Sequence, residues 1–72
     1  MDRQPIRNAV DLGRQIRARR TAQSLTQTEL ADVSGVTLRF VSELENGKET
    51  AQLAGIQRVI AALGLSWYLE QR

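Results

Sequence analysis

The sequence has no cysteine and no histidine among its 72 residues. Without thiols, neither a disulfide nor a thiolate-held metal can brace the fold. Without imidazole, the commonest metal ligand and the usual general base are missing too. Proline occurs once, at Pro5, and Trp, Tyr and Phe once each. No apolar run approaches the roughly 20 residues that span a bilayer, and the N-terminus shows no apolar core of a secretory leader. The chain therefore reads as a soluble, cytoplasmic protein with no membrane partner. A domain of this size buries only about 60% of the surface its unfolded chain exposes. With no covalent brace available, the remaining way to bury more apolar area is to associate with a second copy.

Charge is present but unevenly placed. Arg3, Arg7, Arg14, Arg17, Arg19 and Arg20 against Asp2 and Asp11 give residues 1–20 a formal charge of +4. The whole chain carries +2, so the remainder sums to −2. A basic end suits a polyanionic partner. A solvated helix face explains it equally well on charge alone.

The apolar spacing predicts four helices. The first opens at Asn8, an N-cap with Asp11 at the third position, and carries Ala9, Leu12 and Ile16 inward to about Ala22. A second opens at Thr26, whose partner Glu29 completes a capping box; it buries Leu30 and Ala31 and ends at Gly35. After Val36, Thr37 caps a third helix with Phe40, Val41 and Leu44 inward, terminated by Asn46-Gly47. A fourth follows Thr50 with Leu53, Ile56, Val59, Ile60 and Leu63, and Gly64 stops it. The period then changes. Leu65, Trp67 and Leu69 alternate with Ser66, Tyr68 and Glu70, which predicts a short strand.

Two short helices around a glycine turn describe a helix-turn-helix, whose second helix enters the major groove of DNA. The segment Gln27–Asn46 meets its demands: a small Ala31 under the crossing helix, Gly35 in the turn, and apolar Val36, Val41 and Leu44 locking the pair. Enzymatic readings are weak. Glu43 and Glu45 stand two apart and cannot share a helix face, and neither a nucleophile–base pair nor a phosphate loop is visible. No cofactor is expected.

Over residues 12–64 the sequence resembles the Xre/Cro family of phage-repressor-type regulators. The resemblance is carried by Leu12-Gly13-x-x-Ile16-Arg17-x-x-Arg20, Leu25-Thr26-Gln27-x-x-Leu30-Ala31, Gly35-Val36-Thr37 and Leu44-Glu45-Asn46-Gly47-Lys48. Within it, the run from Arg39 to Ala51 is similar to HipB-like antitoxins. That resemblance implies an all-α, lambda-repressor-like domain of four to five short helices with a C-terminal β-strand that pairs across a homodimer. It also implies repression of the protein's own operon and binding of a HipA-like kinase toxin. The expected organisation is an N-terminal arm (1–8), the helix-turn-helix domain (9–64) and a dimerisation strand (65–72). Alternatives are a stand-alone phage-type repressor, or a toxin-neutralising protein-binding module with secondary DNA binding.

The expected DNA-binding residues are Thr26, Gln27, Thr37, Leu38, Arg39, Ser42, Glu43, Asn46 and Lys48. Thr26 and Gln27 lie at a helix N-terminus, which favours phosphate, and the family resemblance makes Gln27 a phosphate and sugar-edge contact. Thr37, Leu38, Arg39, Ser42 and Glu43 fall off the buried stripe of the third helix. Arg39 alone can grip guanine O6 and N7 with two donors, and Leu38 suits a thymine methyl. Glu43 either accepts from cytosine N4 or points to solvent. Asn46 and Lys48 should reach backbone phosphates. Arg20 and Glu45 each sit against an apolar stripe, where a charge is costly unless paired, so they are expected to form a structural ion pair. Phe40 reads as core rather than an intercalating wedge. Leu65, Trp67 and Leu69 are expected at the dimer interface, opposite a palindromic double-stranded operator.

Overall fold

The computed structural model describes residues 5–69 and 71. It holds four α-helices: α1 (Ala9–Ala22), α2 (Gln27–Ser34), α3 (Leu38–Glu45) and α4 (Leu53–Ala62). Residues 1–4 of the expected arm, with Glu70 and Arg72, lie outside the described residues.

Side-chain caps start the first three helices. Asn8 Oδ1 accepts from the Asp11 N–H at 2.8 Å, and Thr37 Oγ1 accepts from the Phe40 N–H at 3.0 Å. At α2 the capping box is complete, with Thr26 Oγ1 accepting from Glu29 N–H at 3.0 Å and Glu29 accepting from Thr26 N–H at 2.8 Å. Each satisfies a backbone donor that the first helical turn leaves orphaned. α4 has no such device, because Gln52 at its N-cap makes no side-chain cap bond. That explains a start at Leu53, two residues later than the pattern after Thr50 suggests.

The turn between α2 and α3 is set by Gly35, left-handed at φ 71°. There Val36 N–H donates to Ala31 O at 3.1 Å, the bond that reverses the chain after a helix. α1 ends the same way without a glycine. Ser24 takes φ 59°, and Leu25 N–H returns to Arg20 O at 3.1 Å.

α1 and α2 pack on α3, and α2 and α3 pack on α4. The core is Leu12, Ile16, Leu30, Ala31, Val41, Leu44, Ile56, Val59, Ile60 and Leu63, with half-buried Phe40, Val36 and Leu65 against it. Fully burying each large aliphatic side chain contributes about 1.5–3 kcal/mol. Leu53 departs from the expected buried stripe, since its residue surface is 59% exposed.

Four helices agree with the expected four to five, and one expectation for the fold needs correction. Among the described residues there is no strand: residues 65–69 form no regular element. A strand is held by hydrogen bonds to a neighbouring extended backbone, and every regular element among the described residues is helical. The alternation also fails. Leu65 turns into its own core, whereas Trp67, Tyr68 and Leu69 together line a shallow apolar depression with Leu53.

Candidate nucleic-acid interface

The outer side of the α2–turn–α3 unit is organised around one buried carboxylate. The side chain of Glu45, the last residue of α3, has no solvent exposure. Arg20 reaches it from α1 with two bonds, Nε to Oε2 at 2.6 Å and Nη2 to Oε1 at 3.0 Å. Arg20 Nη1 also donates to Leu25 O at 2.8 Å, fixing the α1–α2 connection. Two more donors converge on Glu45 Oε1: Gln27 Nε2 at 3.1 Å and Arg17 Nε at 3.2 Å. Burial pushes the Glu45 carboxyl up, but the bonds from Arg20, Gln27 and Arg17 and the charge of Arg20 outweigh it. The net effect holds Glu45 below the usual carboxylate range. Hydrogen bonding to Glu45 holds the Arg20 guanidinium above its ordinary value, against desolvation.

Gln27 belongs to this network. Its side-chain amide donates one N–H to Glu45, and the amide carries two. The start of α2 also offers backbone donors. The Thr26 and Glu29 N–H groups are consumed by the capping box, while those of Gln27 and Thr28 have no partner among the described residues. The Thr37 hydroxyl oxygen accepts its cap bond and keeps its O–H as a donor.

α3 carries a second, exposed cluster. Arg39 Nε donates to Glu43 Oε1 at 3.0 Å, and Lys48 Nζ donates to Glu43 Oε2 at 2.8 Å. The Lys48 hydrogen bond, with the charges of Lys48 and Arg39, keeps the Glu43 carboxyl below its usual range against modest desolvation. Leu38 is exposed beside Arg39, Ser42 is half-buried, and Asn46 is exposed just past the helix. Asn46 Oδ1 accepts from Arg17 Nη2 at 3.1 Å.

Arg17 joins this cluster, although the sequence pattern left it unassigned. It projects from α1 next to both Gln27 and Asn46 and is half-exposed, with two of its nitrogens used. Its signal in the sequence was spacing: it stands three before Arg20, on the same face of α1.

The fold and this arrangement define a class, and a family model described as helix-turn-helix matches residues 16–68. The chain belongs to that Xre/Cro-type helix-turn-helix family of transcriptional regulators. An uncharacterised HTH-type transcriptional regulator of Sinorhizobium fredii, y4mF, is 46% identical over 61 residues, covering 85% of this chain and 80% of the relative. Among solved structures, a HipB complex with an O2 20-mer superposes with a TM-score of 0.89 at 26% identity, covering 97% of each chain. A HipA–HipB–O2–O3 complex gives 0.88 at 26% identity, covering 96% of this chain and 97% of that one. The restriction-modification controller protein C.AhdI from Aeromonas hydrophila gives 0.74 at 33% identity, covering 81% and 88%. Among the described residues no helix is long and apolar enough to cross a membrane.

Proposed function

We propose that this protein is a sequence-specific repressor that binds a palindromic double-stranded operator as a homodimer, and that it is the autoregulating, HipB-like antitoxin of a toxin–antitoxin pair in the cytoplasm, at the nucleoid. The observation that carries the reading is the capped α2–Gly35–α3 unit, whose outward side chains on α3 are not consumed by the core. In this reading α3 enters the major groove, with Arg39 on a guanine and Leu38 and Thr37 beside it. The backbone N–H groups of Gln27 and Thr28, with Arg17, Asn46 and Lys48, hold phosphates and set the register. The HipA–HipB complex among the structural neighbours supports a HipA-like partner. C.AhdI favours the second reading, a stand-alone regulator.

Dimerisation is assigned to the C-terminal segment. Trp67, Tyr68, Leu69 and Leu53 are 40%, 55%, 102% and 59% exposed, a cluster of apolar surface on a domain short of core. Leu65 is left out, because it packs within its own copy. A two-fold pairing of this segment sets two α3 helices about one DNA turn, roughly 34 Å, apart.

A chain ending at Leu65 keeps its helices and is expected to sediment as a monomer with much weaker operator binding. A persistent dimer would move the interface to the helices. Salt tests the DNA reading itself: the logarithm of affinity should fall with the logarithm of salt by about 0.9 per phosphate neutralised. Salt-insensitive binding would favour a module whose main partner is a protein.

A further inference from the structure

Glu43 sits in the middle of the surface proposed to face DNA, where a negative charge opposes every phosphate. Both of its oxygens are occupied, Oε1 by Arg39 Nε and Oε2 by Lys48 Nζ. Each oxygen keeps further acceptor capacity, but the two cations fix where the carboxylate lies. Arg39 is one helical turn before it and Lys48 lies beyond the end of α3, so a single carboxylate ties together the two cations at either side.

The way Arg39 is held matters. The bond is made through Nε, and neither terminal nitrogen of the guanidinium has a partner among the described residues. Arginine reads guanine as a fork, with two donors spanning O6 and N7. The Arg39 side chain is 86% exposed, and Glu43 is its one restraint among the described residues. Without that contact it is a long rotor in water.

We propose that Glu43 is a positioning residue for sequence reading: it clamps Arg39 through Nε so that the terminal nitrogens are preset for guanine, and it contributes to specificity without touching a base. This rests on the DNA-binding reading above. Two effects act together. The clamp removes the cost of ordering Arg39, which helps only a duplex with guanine where the fork lies. The charge of Glu43 lowers affinity for all duplexes alike, so non-specific binding is weakened while the preferred site is favoured. Lys48, held at Oε2, is kept near the backbone next to the same groove.

The experiment uses the full chain and a pool of duplexes randomised across the bases under α3. Selection with the unsubstituted protein finds the guanine whose preference disappears in Arg39→Ala. Binding to that site and to its guanine-substituted counterpart is then measured for Glu43→Ala, Arg39→Ala and the double variant. Glu43→Ala should lower the guanine preference roughly 2- to 12-fold, the equivalent of about 0.5–1.5 kcal/mol for ordering one rotamer-rich side chain. It should also raise affinity for unrelated duplexes. In the Arg39→Ala background Glu43→Ala should leave base preference unchanged. Loss of preference, in both backgrounds, at a base pair that Arg39→Ala leaves unchanged would mean that Glu43 reads a base itself, and no loss at the Arg39 guanine in the otherwise unsubstituted protein would reduce it to a surface ion pair; each overturns the proposal. Glu43→Met, which keeps the side-chain length and removes the acceptor, repeats the test if alanine lowers the melting midpoint. If the unsubstituted protein selects no sequence at all, the DNA reading fails before the clamp is reached.

Discussion

Glu45→Ala is expected to leave the domain close to unfolded at ambient temperature. The substitution removes one carboxylate and strands three donors, Arg20, Gln27 and Arg17. Arg20 is the decisive one, because its side chain is only 12% exposed and cannot turn freely into water. Breaking a buried pair by deleting one partner costs about 3–5 kcal/mol, against a total stability near the low end of about 5–15 kcal/mol for so small a domain. At about 4–8 °C per kcal/mol for domains of this length, the melting midpoint falls by about 12–40 °C. Glu49→Ala, exposed beyond α3, should melt with the unsubstituted protein. Equal midpoints for the two variants in circular dichroism would show that the Arg20–Glu45 pair is solvated.

The same carboxylate sets an acid limit. Glu45 is held below its unfolded value, so its contribution is fully present above the ordinary glutamate pKa of about 4.3 and is lost as pH falls through its lower folded value. The stability gap between the unsubstituted protein and Glu45→Gln should therefore narrow below about pH 4. Glu29 and Glu43, also held low, titrate in both proteins and cancel from the difference. A gap independent of pH would contradict the assignment.

The second large effect is expected at Gly13, inside α1. By helix propensity alone, Gly13→Ala should stabilise by about 1 kcal/mol. The packing predicts the opposite sign. A Cβ there would press on the Leu44 carbonyl oxygen and lie 2.7 Å from Glu45 O and 2.9 Å from Glu45 C. These are backbone atoms of α3, so relief requires the two helices to part, along with the Arg20–Glu45 bonds that join them. Gly13→Val, with two further methyl groups, should cost about 3 kcal/mol or more, the upper part of the overpacking range. Gly55 is the contrast, because the three atoms nearest a Cβ there all belong to the ring of Phe40, a half-buried side chain able to swing away. Thermal melts showing Gly13→Ala more stable than the parent would mean that α1 and α3 do not approach this closely.

Much of this was legible because it is local. Asn8, Thr26 with Glu29, and Thr37 announce their helices through hydrogen bonds spanning three residues, and Gly35 announces the turn by its freedom to adopt a positive φ. The ends without such devices were less readable. α4 begins at Leu53 with no side-chain cap, and Ser24 does in α1 what glycine does elsewhere. A charge on an apolar stripe singled out Arg20 and Glu45 as a pair. The other donors to Glu45 were not visible, since Gln27 and Arg17 stand 18 and 28 residues away and reach it only through the crossing of three helices. Glu43 was ambiguous for a similar reason: Arg39 lies on its helix face, but Lys48 comes from beyond the helix end. The C-terminal alternation described a strand that needs a partner, and a pattern within one copy does not supply it.

The central claim is that α3 reads sequence while the residues around it hold the backbone, and duplex selection with two single variants tests it most directly. Arg39→Ala should lose about 1–3 kcal/mol of discrimination at one base pair and relax preference there alone. Lys48→Ala should weaken binding to all sequences alike and flatten the salt slope by about one phosphate per copy. Equal, sequence-independent losses from both variants would contradict base reading by Arg39 and, with it, the orientation of α3 in the groove.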